Sequence, residues 1–144
     1  MHRFLVLFTL LISASITNAA GLDGMWEGSG HVIYTQASKN LDPCERATIH
    51  MVWAEPDLIV GGWSTCVIDW DNEPLAFING LIFRRDLPIG TYTRESFQFE
   101  YHSAATAMVY SVRAWIENET LVMEEYLDVP QLWWSKGYYK FQRK

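Results

Sequence analysis

The fold this sequence predicts is an all-β chain closed into a single antiparallel up-and-down barrel of about eight strands, with a two-sheet β-sandwich as the alternative. Short stretches alternate apolar and polar residues at every second position, and turn residues separate them at close spacing. No stretch carries the 3.6-residue period of an amphipathic helix. The third observation is Leu22 to Gly30, LDGMWEGSG. Its glycines at Gly28 and Gly30 let a neighbouring backbone approach, or a strand bend hard, as barrel corners require.

Residues 1–20 stand apart from that pattern. Met1-His2-Arg3 is positive, Phe4 to Ile12 is an almost unbroken apolar run, and Thr17-Asn18-Ala19-Ala20 supplies small residues for a peptidase. This is the pattern of a secretory signal peptide, and the apolar run is short of the ~20 residues that span a bilayer. No cysteine stands at the cleavage site, so no lipid anchor is expected. The expectation is a secreted or periplasmic protein, with residues 21–144 as one domain. Removing Arg3 from the 11 Lys and Arg leaves ten against 17 Asp and Glu, a net charge of −7. That balance keeps a protein soluble and works against nucleic acid or an anionic membrane as partner. All seven tryptophans lie beyond residue 20, a surplus suited to lining pockets or interfaces.

Each strand can be justified in turn. Gly24 to Thr35 alternates Trp26, Gly28, Gly30, Val32 and Tyr34 against Glu27, Ser29 and His31. Gln36 to Pro43 is polar and reads as a loop. Cys44 to Ala54 and Leu58 to Trp70 are two arms of a hairpin about Glu55-Pro56-Asp57, with a bulge at Gly61-Gly62. Leu75 to Arg84 reads as one strand with a bulge at Asn79-Gly80, although that dipeptide also suits a tight hairpin turn. Asp86 to Gly90 reads as a turn. Ser96 to His102 alternates Phe97, Phe99 and Tyr101 against Gln98, Glu100 and His102. Thr106 to Glu117 and Thr120 to Val129 form a hairpin around Asn118-Glu119. Gln131 to Arg143 is the last strand, and closure would bring Arg143 beside Trp26.

The two cysteines of an exported chain predict one disulfide. A hairpin folded about Glu55 opposes Cys44 to Cys66, Ala47 to Trp63 and Met51 to Ile59. The bond would be worth roughly 3 kcal/mol in the chain-entropy account.

Gly24-x-Trp26 on the first strand, with a basic residue near the end of the last, resembles the calycin group of lipocalins, fatty-acid-binding proteins and bacterial relatives. The longer Gly-x-Trp-x-Gly-x-Gly form, with the cysteine pair and Trp63-Ser64-Thr65-Cys66, is also similar to small exported bacterial lipocalin-like proteins of undefined role. The resemblance implies that Arg143 lies over the Trp26 ring and seals one barrel end. It also implies an interior that takes a small apolar or amphipathic ligand. The Thr-Asp-Tyr run of lipocalins is absent.

Candidate site residues follow from that frame. Tyr34, Met51, Trp63, Phe97, Phe99, Tyr139 and Phe141 are expected to face inward, with Arg113, set among apolar neighbours, as a polar group that orients ligand. Gly24, Trp26 and Arg143 are expected to be structural. The histidines beyond residue 20, His31, His50 and His102, show no ligand spacing within one strand, so neither metal nor cofactor is expected. Ser29 and Ser64 lack the nucleophile-elbow context, and Glu124 and Glu125, adjacent on a strand, point to opposite faces and cannot form one acid–base pair. No catalytic residues are assigned and no enzymatic activity is expected. The second functional expectation is a filled barrel acting through its surface as an inhibitor or envelope interaction module, with Trp70, Trp133 or Trp134 as anchors. Asn118-Glu119-Thr120 matches a glycosylation acceptor at an exposed turn.

Overall fold

In the computed structural model, residues 21–34, 41–54, 57–69 and 75–144 are described, and every element among them is a strand. The ten strands are β1 (Gly24–Tyr34), β2 (Leu41–Ala54), β3 (Asp57–Ser64), β4 (Leu75–Ile78), β5 (Leu81–Arg84), β6 (Leu87–Tyr92), β7 (Ser96–His102), β8 (Val109–Glu117), β9 (Thr120–Val129) and β10 (Trp133–Arg143). They pair antiparallel around a closed ring in which β1 lies between β2 and β10, which excludes the open-edged sandwich. Residues 1–20, read as a signal peptide, and Trp70 lie outside the described residues.

The count exceeds the expected eight because the middle of the chain is more finely folded. Asn79 and Gly80 take φ of 51° and 81° and make the two-residue turn between β4 and β5, not a bulge in one long strand. Positive φ at both central positions matches the right-handed twist of the strands they join, and Asn-Gly tolerates it best. Arg85-Asp86 then turns the chain, so Leu87 to Tyr92 is a strand where a turn was expected. Asn118 and Glu119, at φ of 49° and 62°, form the expected turn between β8 and β9. Further boundaries move, and β8 and β10 begin at Val109 and Trp133 rather than at Thr106 and Gln131. β2 begins at Leu41, inside the expected loop, and β3 ends at Ser64.

The β2–β3 register also differs from the expected one. Ala54 pairs with Asp57, so the pairing is offset by one position from the expected register. An extra residue, Gly61, then shifts the pairing between His50 and Met51. Trp63 therefore faces Ile49 rather than Ala47, and Ile59 faces Val52 rather than Met51. The bulge keeps Val60 and Trp63 both on the buried side. Cys66 lies past the end of β3, yet the Cys44–Cys66 bond forms, with a Cα–Cα separation of 5.9 Å. Direct opposition in the ladder is not required, because the chain turns back at 65–68. There Thr65 Oγ1 accepts from the Val67 and Ile68 amides at 3.2 and 3.1 Å. The disulfide ties this turn to β2. Intact-mass measurement of the unreduced protein is expected to find it two hydrogens lighter than the reduced chain, and reduction should lower Tm by on the order of 10 °C. Two free thiols in the unreduced protein would contradict the bond.

Inside the ring the core is strongly aromatic. Trp63 meets Phe97 and Phe99 edge-on, with ring centroids 5.7 and 5.8 Å apart. Phe77 packs on Phe97 at 5.6 Å, and Phe99 on Tyr110 at 5.9 Å. Such pairs contribute about 0.5–1.5 kcal/mol each beyond burial of their area.

One end of the barrel is sealed as expected. Trp26 pairs with Arg143 in the β1–β10 register, and the Arg143 guanidinium lies 4.7 Å from the centre of its ring. Trp26 Nε1 donates to the Leu22 carbonyl at 2.7 Å, and Arg143 donates to the Gly21 carbonyl.

Candidate functional site

The opposite end of the barrel holds a carboxyl group where an all-apolar interior would place none. Along β9, Leu121, Met123, Glu125 and Leu127 share the inner face, and Glu125 is only 1% exposed. On β10 the inner face runs Ser135, Gly137, Tyr139 and Phe141, all buried. Gly137 pairs with Glu125. A Cβ there would stand 2.6 Å from the Tyr139 hydroxyl and 2.9 Å from Glu125 Cγ, so this glycine makes the room in which the two side chains lie. Tyr110 on β8 completes the group, donating from its hydroxyl to Glu125 Oε2 at 2.6 Å. Above the cluster lies the 65–68 turn, to which Tyr34 of β1 donates through its hydroxyl at the Cys66 carbonyl, 3.3 Å away.

Burial, which penalises the charged form, pushes the Glu125 carboxyl above its ordinary pKa. Tyr110, Tyr139 and Thr65 face it and partly offset that rise. Tyr110 and Tyr139 are themselves pushed up, first by burial and then by the Glu125 charge, so both phenols stay neutral. Tyr34 is raised by burial, then by Asp42 and Glu125. Three buried oxygens of this cluster close no hydrogen bond of good geometry, although Tyr139 and Thr65 lie close to the carboxyl: Glu125 Oε1, Ser135 Oγ and Tyr139 OH.

The sign of the pH effect follows. A carboxyl whose folded pKa is raised binds its proton more tightly in the native state. Its contribution to stability is complete below the unfolded carboxyl pKa and is lost as pH rises through the folded value. Gln at position 125 can still accept from Tyr110 and does not titrate. Glu125→Gln should therefore gain on wild type as pH rises through that window and hold a constant offset below it. Urea midpoints across the acid-to-neutral range test this, and parallel profiles would contradict it.

Most residues expected to face inward do so. Met51, Trp63, Phe97, Phe99, Tyr139 and Phe141 are buried in the core, and Tyr34 is half-buried at the end occupied by the carboxyl. Arg113 is the exception. β8 turns Tyr110, Val112 and Ala114 inward, so Arg113 lies on the outer face, 5.5 Å over the Trp115 ring and beside a surface depression of about 470 Å³. Its apolar neighbours are the buried half of the alternation. Arg84, in phase with buried Ile82 at the rim of β5, is stacked 3.7 Å from the centre of the Tyr101 ring. His31, His50 and His102 are exposed, and no group of three metal-ligating side chains occurs among the described residues. Glu124 and Glu125 occupy opposite faces of β9, as expected.

Sequence reasoning missed Glu125, Tyr110 and Ser135 as site residues. The signal was present, since Glu125 is in phase with Leu121, Met123 and Leu127, and Ser135 is in phase with Tyr139 and Phe141. Searches with the whole chain find no matching family model, no matching curated protein and no matching solved structure.

Proposed function

We propose that this protein is an exported, lipocalin-like carrier that holds a small amphipathic ligand at the carboxyl end of its barrel. The closed antiparallel barrel is compatible with a calycin-like fold. The observation that carries the reading is the set of three buried oxygens that close no hydrogen bond of good geometry, Glu125 Oε1, Ser135 Oγ and Tyr139 OH. Buried polar atoms are almost always bonded, and each one left unmade costs about 1–3 kcal/mol. A ligand whose polar head meets these atoms recovers that energy, while Trp63, Phe99 and Tyr110 offer its apolar part a wall. The apolar run at Phe4 to Ile12 and the disulfide both favour export.

Native mass spectrometry of protein purified from its own host, followed by tryptophan fluorescence titration with amphipathic ligands, tests the proposal. A bound species of defined mass, with quenching attributable to Trp63, is expected. Protein of apo mass, indifferent to every ligand, would overturn it.

A second reading rests on the outer wall. Val52, Ile59, Ala76 and Phe83 follow one another in register across β2, β3, β4 and β5, and Val52 and Ile59 are exposed. A continuous apolar row on an outer face favours a surface-acting module. Replacing Val52 and Ile59 by Lys should abolish partner capture without altering ligand binding, and unchanged capture would remove this reading.

A further inference from the structure

Resting on the interior-binding reading, we infer that the head group held beside Glu125 is a primary ammonium carried on an apolar or aromatic body. The unpartnered atoms decide the chemistry. Glu125 spends Oε2 on the Tyr110 hydroxyl and keeps Oε1, which as part of a carboxylate can only accept. Ser135 Oγ and Tyr139 OH can each accept as well. An ammonium brings three donors and no acceptor, matching three such oxygens. An alcohol brings one donor and an oxygen that can accept from the Ser135 or Tyr139 hydroxyl, but no charge to set against the Glu125 carboxylate. A carboxylate brings acceptors and a second negative charge against Glu125, which buried like charges oppose.

The surroundings favour a cation further. The Tyr110 and Tyr139 rings flank the carboxyl, and Phe99 and Trp63 continue the aromatic wall. Aromatic faces attract a desolvated cation. Arg84 stands over Tyr101 at the rim and is not among the groups that govern the Glu125 charge, which are Tyr110 from β8, Tyr139 from β10 and Thr65 beyond β3. Since the phenols stay neutral, the ammonium finds a single opposite charge. Its arrival favours the ionised carboxyl, so binding should tighten as pH rises through the Glu125 titration.

Isothermal titration with 2-phenylethylamine, 2-phenylethanol and 3-phenylpropanoate separates these heads on closely similar bodies. The amine should bind roughly tenfold or more tightly than either comparator. Glu125→Gln should erase that preference while the far-ultraviolet spectrum stays that of the wild type. Ser135→Ala, which removes one hydroxyl and little volume, should weaken the amine several-fold and more than it weakens the alcohol, giving a second readout should Glu125→Gln fail to fold. Equal or tighter binding of the alcohol or the carboxylate overturns the ammonium assignment while leaving an interior ligand in place. Binding of none of the three also overturns it, and the native mass spectrum then decides separately whether the interior carries a ligand.

Discussion

Trp26→Ala is expected to destabilise the protein by about 3–5 kcal/mol, the range for truncating a buried large aromatic side chain. Trp26 is 1% exposed, its ring lies under the Arg143 guanidinium, and its indole N–H is spent on the Leu22 carbonyl. The substitution removes the ring, leaves Leu22 O without its donor, and frees Arg143 from its stack. Most of the loss belongs to the ring. Arg143 is exposed, where a cation over a ring contributes only about 0.5–1 kcal/mol, so Arg143→Ala alone should cost far less. Urea unfolding of the two single variants and the double variant separates these terms. Ligand affinity should be unchanged in folded Trp26→Ala. Glu125 stands level with Val32 through Gly137, six residues along β1 from Trp26 and about 20 Å away. A stable variant with altered binding would contradict the assignment of Trp26 to the seal.

The seal was legible because its parts are local and in phase. Gly24-x-Trp26 opens an alternation that runs cleanly to Tyr34, and the last strand alternates as cleanly from Trp133 to Arg143, so closure alone brings Trp26 to Arg143. The centre of the chain lacked that clarity. β4 and β5 have four residues each, apolar but for Arg84, too short for a period of two to separate a hairpin from one bulged strand. The β2–β3 register depended on a one-position offset at Ala54–Asp57 and on one extra residue at Gly61, and a shift of one position moves every pair. The polar cluster was hidden for a different reason. Glu125, Tyr110 and Tyr139 come from three strands, and they meet only through the summed register of β8, β9 and β10. Arg113 misled because apolar neighbours in a strand lie on the opposite face, so they say nothing about where the residue itself points.

Gly30→Ala should prove almost as damaging as the loss of Trp26, through overpacking rather than a cavity. A Cβ at Gly30 would fall 1.9 Å from the Tyr138 carbonyl oxygen and 2.9 Å from Tyr139 Cα, and at Gly28 it would fall 2.1 Å from the Lys140 oxygen. These are backbone atoms of β10, so no side-chain rotation relieves the clash. β1 must part from β10 locally, and that seam is where the barrel closes. The expected cost is about 3 kcal/mol or more, at or beyond the upper end of overpacking in well-filled cores. Gly61 provides the control. Its Cβ would meet nothing nearer than His50 Nδ1 at 3.8 Å, and the residue serves a bulge, not a close approach. Gly61→Ala should therefore stay within about 1 kcal/mol of wild type, with a small gain from a less flexible unfolded chain. Hydrogen exchange would add the spatial test. In Gly30→Ala the amides of β1 and β10 should lose protection before those of β8 and β9. Uniform loss, or a Gly30→Ala variant as stable as Gly61→Ala, would mean that the β1–β10 approach is looser than the register requires.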